Sequence, residues 1–204
     1  MQLAQAPSEW RSNQVSLAQV NGRWARDAAG STDKTWTNPG WIDHTREEIY
    51  HLLCADPINN LPKALASAVE AAEHNAIRAR QWAGLIADAG RDTDHPTLTH
   101  WGQRLRDGIH DSDLTQYLTY LINDAHLGKD TLTIALEKRG ECHQLAERYD
   151  EALADYTRAI ELDPSDAEAI TNRGRTYRLM ERYDEALADY ARAIELDPNY
   201  KPPE

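Results

Sequence analysis

The feature that most constrains this chain is a stretch of sequence that occurs twice. Residues 147–164 recur as residues 181–198 with a single change, Thr157 against Ala191. The two copies are 34 residues apart. A period of this length is typical of stacked helix–turn–helix units, each of which buries its apolar face against a neighbouring unit.

The residue types inside each copy fit a pair of antiparallel helices. Gly140 and Ala152 are small, so two helices can approach closely at these positions, and Gly174 and Ala186 repeat them. Pro164 lacks an N–H group and therefore stops the second helix. Larger apolar residues recur at helical spacing and are expected to form the buried stripe: Leu153, Tyr156 and Ile160, then Leu187, Tyr190 and Ile194.

These two units resemble tetratricopeptide repeats. The family signature falls on Leu136, Arg139, Gly140, His143, Ala152, Tyr156, Ala159 and Pro164, and again on Ile170, Arg173, Gly174, Tyr177, Ala186, Tyr190, Ala193 and Pro198. The first two sites of each unit depart from the Trp and Leu that are common in the family. The resemblance implies an all-α fold of antiparallel helical hairpins, with a C-terminal α-solenoid of two repeats over 133–166 and 167–200.

In this family the first helix of each repeat lines a groove that receives a peptide. Carried over, the groove residues are Ile134, Glu137, Glu141, Gln144 and Leu145, then Glu168, Thr171, Asn172, Arg175 and Arg178. Glu137 and Glu141 occupy places where some members carry Lys and Asn for a terminal carboxylate, so we expect no such clamp here. Arg175 and Arg178 either bind an acidic side chain of a partner or pair with the two glutamates across the groove.

The outer side of the last repeat helix is a second candidate surface. Only residues 199–204 follow Pro198, so we expect Leu187, Tyr190 and Ile194 to be partly uncovered. Uncovered apolar patches usually mark contact surfaces. Three explanations remain open: a homodimer through the C-terminal repeat, docking of another protein, or a chain shortened from a longer array.

Composition restricts the class of partner. The chain of 204 residues has 22 basic and 34 acidic residues, a formal net charge of −12. Binding to nucleic acid or to an anionic membrane needs a basic surface, so we expect neither partner. Cys54 and Cys142 have no metal-binding spacing, and no signal peptide or membrane span is evident. These features predict a cytoplasmic protein whose partner is an unidentified protein or peptide.

The upstream sequence also reads as helices. We expect a partly helical arm over 1–40 with a helix from Ser8 to about Ala29, then a helical segment over 41–128 and the repeats over 129–204. Asn60 is the expected cap of a helix that breaks near His74, and the helix after the break is expected to end at Ala89-Gly90. The middle segment is either a set of degenerate helical hairpins or a separate small helical domain.

Short stretches of this segment, 50–54, 80–82 and 86–90, look like helical regions that precede tetratricopeptide arrays in bacterial signalling ATPases of the STAND type. The resemblance implies a detached sensor or scaffold arm of bacterial origin, and it carries no nucleotide site.

No motif indicates catalysis or a cofactor. The stretch from Gly30 to Thr35 fails as a phosphate loop because Asp33 stands where glycine is required before the lysine. His44, Glu48 and His51 share one helix face, which leaves a metal-dependent enzyme with its site in 1–128 as an alternative. A self-assembling structural protein is another alternative. We predict no catalytic residue, no metal and no cofactor.

Overall fold

The structure, a computed structural model, describes residues 8–29 and 35–197. All regular elements in these ranges are helical, which confirms the all-α class. A 3₁₀ turn spans Thr35–Thr37, and ten α-helices occupy the described residues: α1 (Ser8–Ala29), α2 (Pro39–Ala55), α3 (Pro57–His74), α4 (Ala76–Asp92), α5 (Pro96–Asp107), α6 (Thr115–Asp124), α7 (Lys129–Leu145), α8 (Tyr149–Leu162), α9 (Ala167–Leu179) and α10 (Tyr183–Leu196).

The chain divides into two compact units, 1–112 and 113–204. None of the described helices is both long and apolar enough to cross a membrane. The domain boundaries expected at 40 and 128 remain a prediction. Most of the polar stretch that fails as a phosphate loop, together with Pro198, lies outside the described residues.

The first unit contains α1 to α5, with α1 packed on α2 and α4 on α5. Its core surrounds Trp82, which is fully buried along with Leu53 and Leu98. Helix α1 has the bounds predicted from the sequence. It buries only small or polar residues, among them Ala18 and Ala25, which explains its sparse apolar pattern.

The start of α3 differs from the prediction that Asn60 caps it. The helix begins at Pro57, and Asp56 is the cap because its carboxylate accepts a hydrogen bond from the Asn59 N–H at 3.2 Å. The Asn60 side chain donates instead to the Leu52 and Asp56 carbonyl oxygens, both at 2.9 Å. Asn60 therefore satisfies acceptors at the end of α2 rather than donors at the start of α3.

Helix α4 begins where the sequence predicted a break, and Asn75 caps it by accepting from the Arg78 N–H at 2.9 Å. The end expected near Gly90 is wrong, because α4 runs on to Asp92. A Cβ at Gly90 would lie 2.6 Å from Thr99 Oγ1 on α5. This glycine therefore serves the close approach of α4 and α5 and does not terminate the helix.

In the second unit, α7 with α8 and α9 with α10 form two equivalent hairpins. Each first helix ends in the same turn: the Arg148 N–H donates to the His143 oxygen, and the Arg182 N–H to the Tyr177 oxygen, both at 2.9 Å. Glutamates occupy the left-handed position of each turn, with φ of 59° and 60°. This is the double hydrogen-bond pattern of a Schellman ending.

The two small residues expected between the helices are where the sequence predicted them. A Cβ at Gly140 would lie 2.8 Å from the Tyr156 ring, and one at Gly174 would lie 3.0 Å from the Tyr190 ring. Ala152 is fully buried beside this contact. Each hairpin therefore closes by laying a tyrosine ring over a glycine, and α6 packs against α7 from the other side.

Candidate functional site

The most regular polar feature of the second unit is a pair of buried ion pairs. The Arg139 guanidinium donates to both oxygens of Asp155, from Nε at 2.8 Å and from Nη2 at 2.6 Å. Arg173 and Asp189 repeat this geometry at 2.8 Å and 2.7 Å. Both aspartates are buried. Paired hydrogen bonds of this kind compensate the desolvation of two charges.

Each arginine also reaches the helix that precedes its hairpin. Arg139 Nη1 donates to Thr119 Oγ1 on α6 at 3.2 Å, and Arg173 Nη1 donates to Thr157 Oγ1 on α8 at 3.4 Å. One side chain thus joins three helices in each repeat. Sequence reasoning missed this role, although the recurrence of both Arg and Asp at the 34-residue period was a usable signal.

The predicted groove residues lie on α7 and α9, on a surface that we call the groove face. Leu145, Glu168 and Arg175 are exposed, and the other predicted residues of this face are half-buried: Ile134, Glu137, Glu141, Gln144, Thr171, Asn172 and Arg178. The two helices are joined here, since Gln144 Nε2 donates to Thr176 Oγ1 at 2.9 Å. The structure therefore brings residues from both repeats together.

Two carboxyl groups meet at one end of the groove face. Asp166 caps α9 by accepting from the N–H groups of Glu168 and Ala169, both at 3.0 Å. Glu137 on α7 is hydrogen-bonded to the Asp166 side chain. Burial, followed by the charge and hydrogen bond of Asp166, raises the pKa of Glu137 to about 9. Glu137 therefore carries a proton near neutral pH and donates it to Asp166.

Glu141, the second glutamate of α7 on the groove face, has a cationic partner on the same helix. Lys138 Nζ lies 2.7 Å from Glu141 Oε2. No ion pair within 4.0 Å joins Arg175 to Glu137 or Glu141 in the described part of the chain. The groove face therefore carries the carboxyl groups of Glu137 and Glu141 on α7, and the guanidinium groups of Arg175 and Arg178 beside Glu168 on α9.

The arginine in the turn after each first helix contacts a histidine in the first repeat and a tyrosine in the second. Arg148 Nε donates to His143 Nδ1 at 3.0 Å. In the second repeat the Arg182 guanidinium lies over the Tyr177 ring, 4.5 Å from its centroid. A cation–π contact thus replaces the hydrogen bond at the equivalent place.

The predicted end face behaves differently from its counterpart in the first repeat. Leu153 and Ile160 of α8 are 9% and 6% exposed, whereas Leu187 and Ile194 of α10 are 66% and 41% exposed. The residue types are identical, so the difference arises because α9 covers α8. Tyr190, the third predicted residue, is buried at 8%.

The three residues considered as metal ligands have other partners. His44 Nδ1 lies 3.2 Å from Asn21 Oδ1, and His51 Nδ1 lies 2.6 Å from Gln14 Oε1. Glu48 pairs with Lys63 at 2.8 Å. Residues 8–29 and 35–197 contain no group of three or more His, Cys, Asp or Glu side chains that could hold a metal.

A cleft of the first unit, about 870 Å³, has Trp10, Tyr50, Cys54, Asp92 and His95 among its lining residues. The Tyr50 hydroxyl donates to Asp92 Oδ2 at 2.6 Å. Burial raises the pKa of the Cys54 thiol to about 11. The thiol is therefore protonated near neutral pH and is not an activated nucleophile.

Comparison with known proteins matches part of the chain to one family. Residues 134–166 and 167–200 each match the tetratricopeptide repeat, so the two hairpins are repeats of this type. No curated protein matches the sequence significantly.

Two solved structures of MamA resemble this chain. One, from AMB-1, is 16% identical with a TM-score of 0.44, covering 95% of this chain and 92% of that chain. The other, of a point mutant, is 15% identical with a TM-score of 0.45, covering 95% of this chain and 93% of that chain.

Proposed function

We propose that this protein is a non-enzymatic interaction module that binds a protein or peptide through the groove face. The observation that carries the proposal is the juxtaposition, on α7 and α9, of carboxyl and guanidinium groups with the apolar Leu145, which is 85% exposed. Apolar and charged groups on one accessible surface suit a partner that presents both kinds of side chain.

Arg175 and Arg178 are the proposed contacts for an acidic side chain of the partner. The test is affinity capture from the source cell with wild-type protein and with the Arg175→Glu/Arg178→Glu variant. We expect the variant to lose a partner that the wild type retains, because reversal of two charges repels the same acidic group. Helicity measured by circular dichroism should remain unchanged.

The control reverses two charges away from the groove face, at the exposed Lys129 and Arg158. This Lys129→Glu/Arg158→Glu variant changes the net charge equally and should capture the partner as the wild type does. The proposal fails if the groove variant and the control capture the same proteins as the wild type.

A second proposal is self-association through the end face of α10. Supporting it are Leu187, Ile194 and Tyr183, which are 66%, 41% and 59% exposed. Sedimentation velocity over a range of concentrations should show a dimer that Leu187→Glu converts to a monomer. A wild-type chain that stays monomeric at the highest concentration contradicts this mode.

The proposal also includes a cytoplasmic location and a role as a regulatory or scaffold arm. The location is supported by free cysteines, buried Cys54 and half-buried Cys142, which suit a reducing compartment. The role is supported by the resemblance of the upstream segment to bacterial signalling proteins. The capture experiment above identifies the pathway in which the arm works.

A further inference from the structure

The histidine near the end of α7 is held as a hydrogen-bond acceptor. Arg148 Nε donates to His143 Nδ1 at 3.0 Å, and the His143 side chain is 13% exposed. A guanidinium has donors only, so the ring nitrogen that faces it must have a free lone pair. A protonated imidazole carries N–H groups at both nitrogens. The contact with Arg148 therefore exists only while His143 is neutral.

The same arginine connects the turn to the start of α6. Arg148 Nη2 donates to Thr115 Oγ1 at 3.1 Å and lies 3.9 Å from Asp113 Oδ2. Thr115 is the first residue of α6, and its N–H donates to the Asp113 carboxylate at 2.8 Å. Helix α6 in turn packs against α7. His143 therefore orients a side chain that anchors the start of α6 to the first repeat.

Charges of both signs surround the His143 ring. Asp155 Oδ2 on α8 lies 3.8 Å from His143 Nε2, and both oxygens of this carboxylate already accept from Arg139. The charged groups that face the ring come from α7, α8, the turn and the residues before α6: Arg139, Asp155, Glu151, Arg148 and Asp113. Burial is the largest cause that lowers the pKa of His143 below its ordinary value of 6.5, although the charge of Asp155 opposes it.

We propose that His143 and Arg148 form an acid-sensitive latch that holds α6 against the first repeat. When His143 takes up a proton, Nδ1 becomes a donor and the ring charge repels the guanidinium. Arg148 then leaves the ring, and its contact with Thr115 weakens. The start of α6 opens locally and uncovers apolar side chains that are otherwise buried, among them Leu118 and Leu121. The latch lies within the second unit and does not depend on what the groove face binds.

The second repeat supplies a version of this turn that does not respond to acid. Tyr177 takes the place of His143, and the Arg182 guanidinium lies 4.5 Å from the centroid of its ring. A phenol ring carries no charge across the acid range, so a cation–π contact persists as the pH falls. The backbone of the two turns makes the same hydrogen bond. His143→Tyr should therefore hold Arg148 without the response to pH.

The test follows the full chain by NMR. The ring nitrogen shifts of His143 report its protonation, and amide exchange of residues 115–121 reports the opening of α6. Exchange is expressed as a protection factor at pH 7.5 and at pH 5.5, which removes the intrinsic effect of pH on exchange. We expect the protection of α6 to fall at least several-fold at the lower pH, while that of α8 stays the same.

Two variants and one control separate the latch from a histidine that only fills space. His143→Tyr should protect α6 equally at both pH values. Arg148→Met keeps an apolar stem without the charge, so it should raise the pKa of His143 towards 6.5 and reduce the protection of α6 at pH 7.5. Arg182→Met makes the same change in the second repeat and should alter neither quantity.

A fall in α6 protection that persists in His143→Tyr would overturn the latch. The same conclusion would follow if His143 titrated at the same pH in the wild type and in Arg148→Met. If His143→Tyr does not fold, the titration of Arg148→Met beside Arg182→Met decides the matter. Capture of a partner by the groove face bears on the proposed function and leaves this test unaffected.

Discussion

At the scale of single residues, the second unit depends on charges that are buried only because they are paired. Arg139 and Asp155 illustrate this, with 15% and 6% of their side chains exposed. Removal of one member leaves the other charge largely buried without its ionic partner. Removing one member therefore destabilises the fold more than replacing the whole pair by apolar residues.

We predict that Asp155→Ala lowers the free energy of unfolding by about 2–4 kcal/mol, because the Arg139 guanidinium then remains half-buried without its carboxylate. Urea denaturation followed by circular dichroism measures the change. The exposed Glu161→Ala on the same helix is the control and should stay within about 0.5 kcal/mol of wild type. Equal effects of the two changes would show that the ion pair contributes nothing.

The pH dependence of stability offers a test of the carboxyl pair. The folded pKa of Glu137, about 9, lies above its ordinary value of 4.5. The stability that its proton provides is therefore complete below pH 4.5 and is lost as the pH rises towards 9. Glu137→Gln keeps a neutral hydrogen-bonding group and does not suffer this loss.

We predict that Glu137→Gln gains stability over the wild type as the pH rises. The difference between their free energies of unfolding should grow by about 1–2 kcal/mol from pH 5 to pH 8. The side chain is partly exposed, and solvent screening reduces the full effect of the pKa shift. Denaturation curves at several pH values measure it. Glu161→Gln, which changes an exposed carboxylate, should follow the wild type throughout. A difference that is constant with pH would contradict the shared proton.

At the scale of elements, α8 and α10 show that one sequence can have two surroundings. The two helices differ only at Thr157 and Ala191. The apolar side of α8 is buried beneath α9, while the same side of α10 remains accessible within the described residues. Sequence therefore determines the apolar stripe, whereas the neighbouring helix determines whether the stripe is buried.

This difference gives a prediction with an internal control. Leu153→Ala should lower the free energy of unfolding by about 2–4 kcal/mol, because it leaves a cavity between α8 and α9. The equivalent Leu187→Ala should change it by less than about 0.5 kcal/mol in a dilute monomer. Thermal or urea unfolding at low protein concentration compares them. A large effect of Leu187→Ala that grows with concentration would instead support association through α10.

Helix boundaries and contacts could be predicted where a capping residue or a small packing residue in the sequence itself indicates them. The break before α4 has its own cap, Asn75, and the hairpin contact needs a residue as small as Gly140. The start of α3 could not be predicted because Asn60 binds carbonyl groups at the end of α2, and that contact depends on tertiary structure. Gly90 was misinterpreted as a helix end for the same reason.

Only part of the candidate site could be predicted from the sequence. The resemblance to the repeat family assigned the groove positions to α7 and α9, and their role in binding stays a prediction. The hydrogen bond between Glu137 and Asp166 and the orientation of Tyr156 depend on how α7, α8 and α9 pack. The sequence of a single helix does not show how the three helices pack.

At the scale of the whole molecule, two units divide the chain, and the repeats lie in the second. Among the described residues of this unit, the two most exposed large apolar side chains are Leu145 on the groove face and Leu187 on α10. They correspond to the two proposed modes of association, with a partner and with a second copy. A probe of side-chain accessibility can therefore decide which surface a partner covers.

Hydroxyl-radical footprinting of the free chain and of its complex with the captured partner is the most direct test that the groove face binds a protein. Leu145 and Leu187 are 85% and 66% exposed, so both should be labelled readily in the free chain. We expect labelling of Leu145 to fall at least threefold in the complex, while labelling of Leu187 stays the same. Unchanged labelling of Leu145, with or without protection of Leu187, would contradict it.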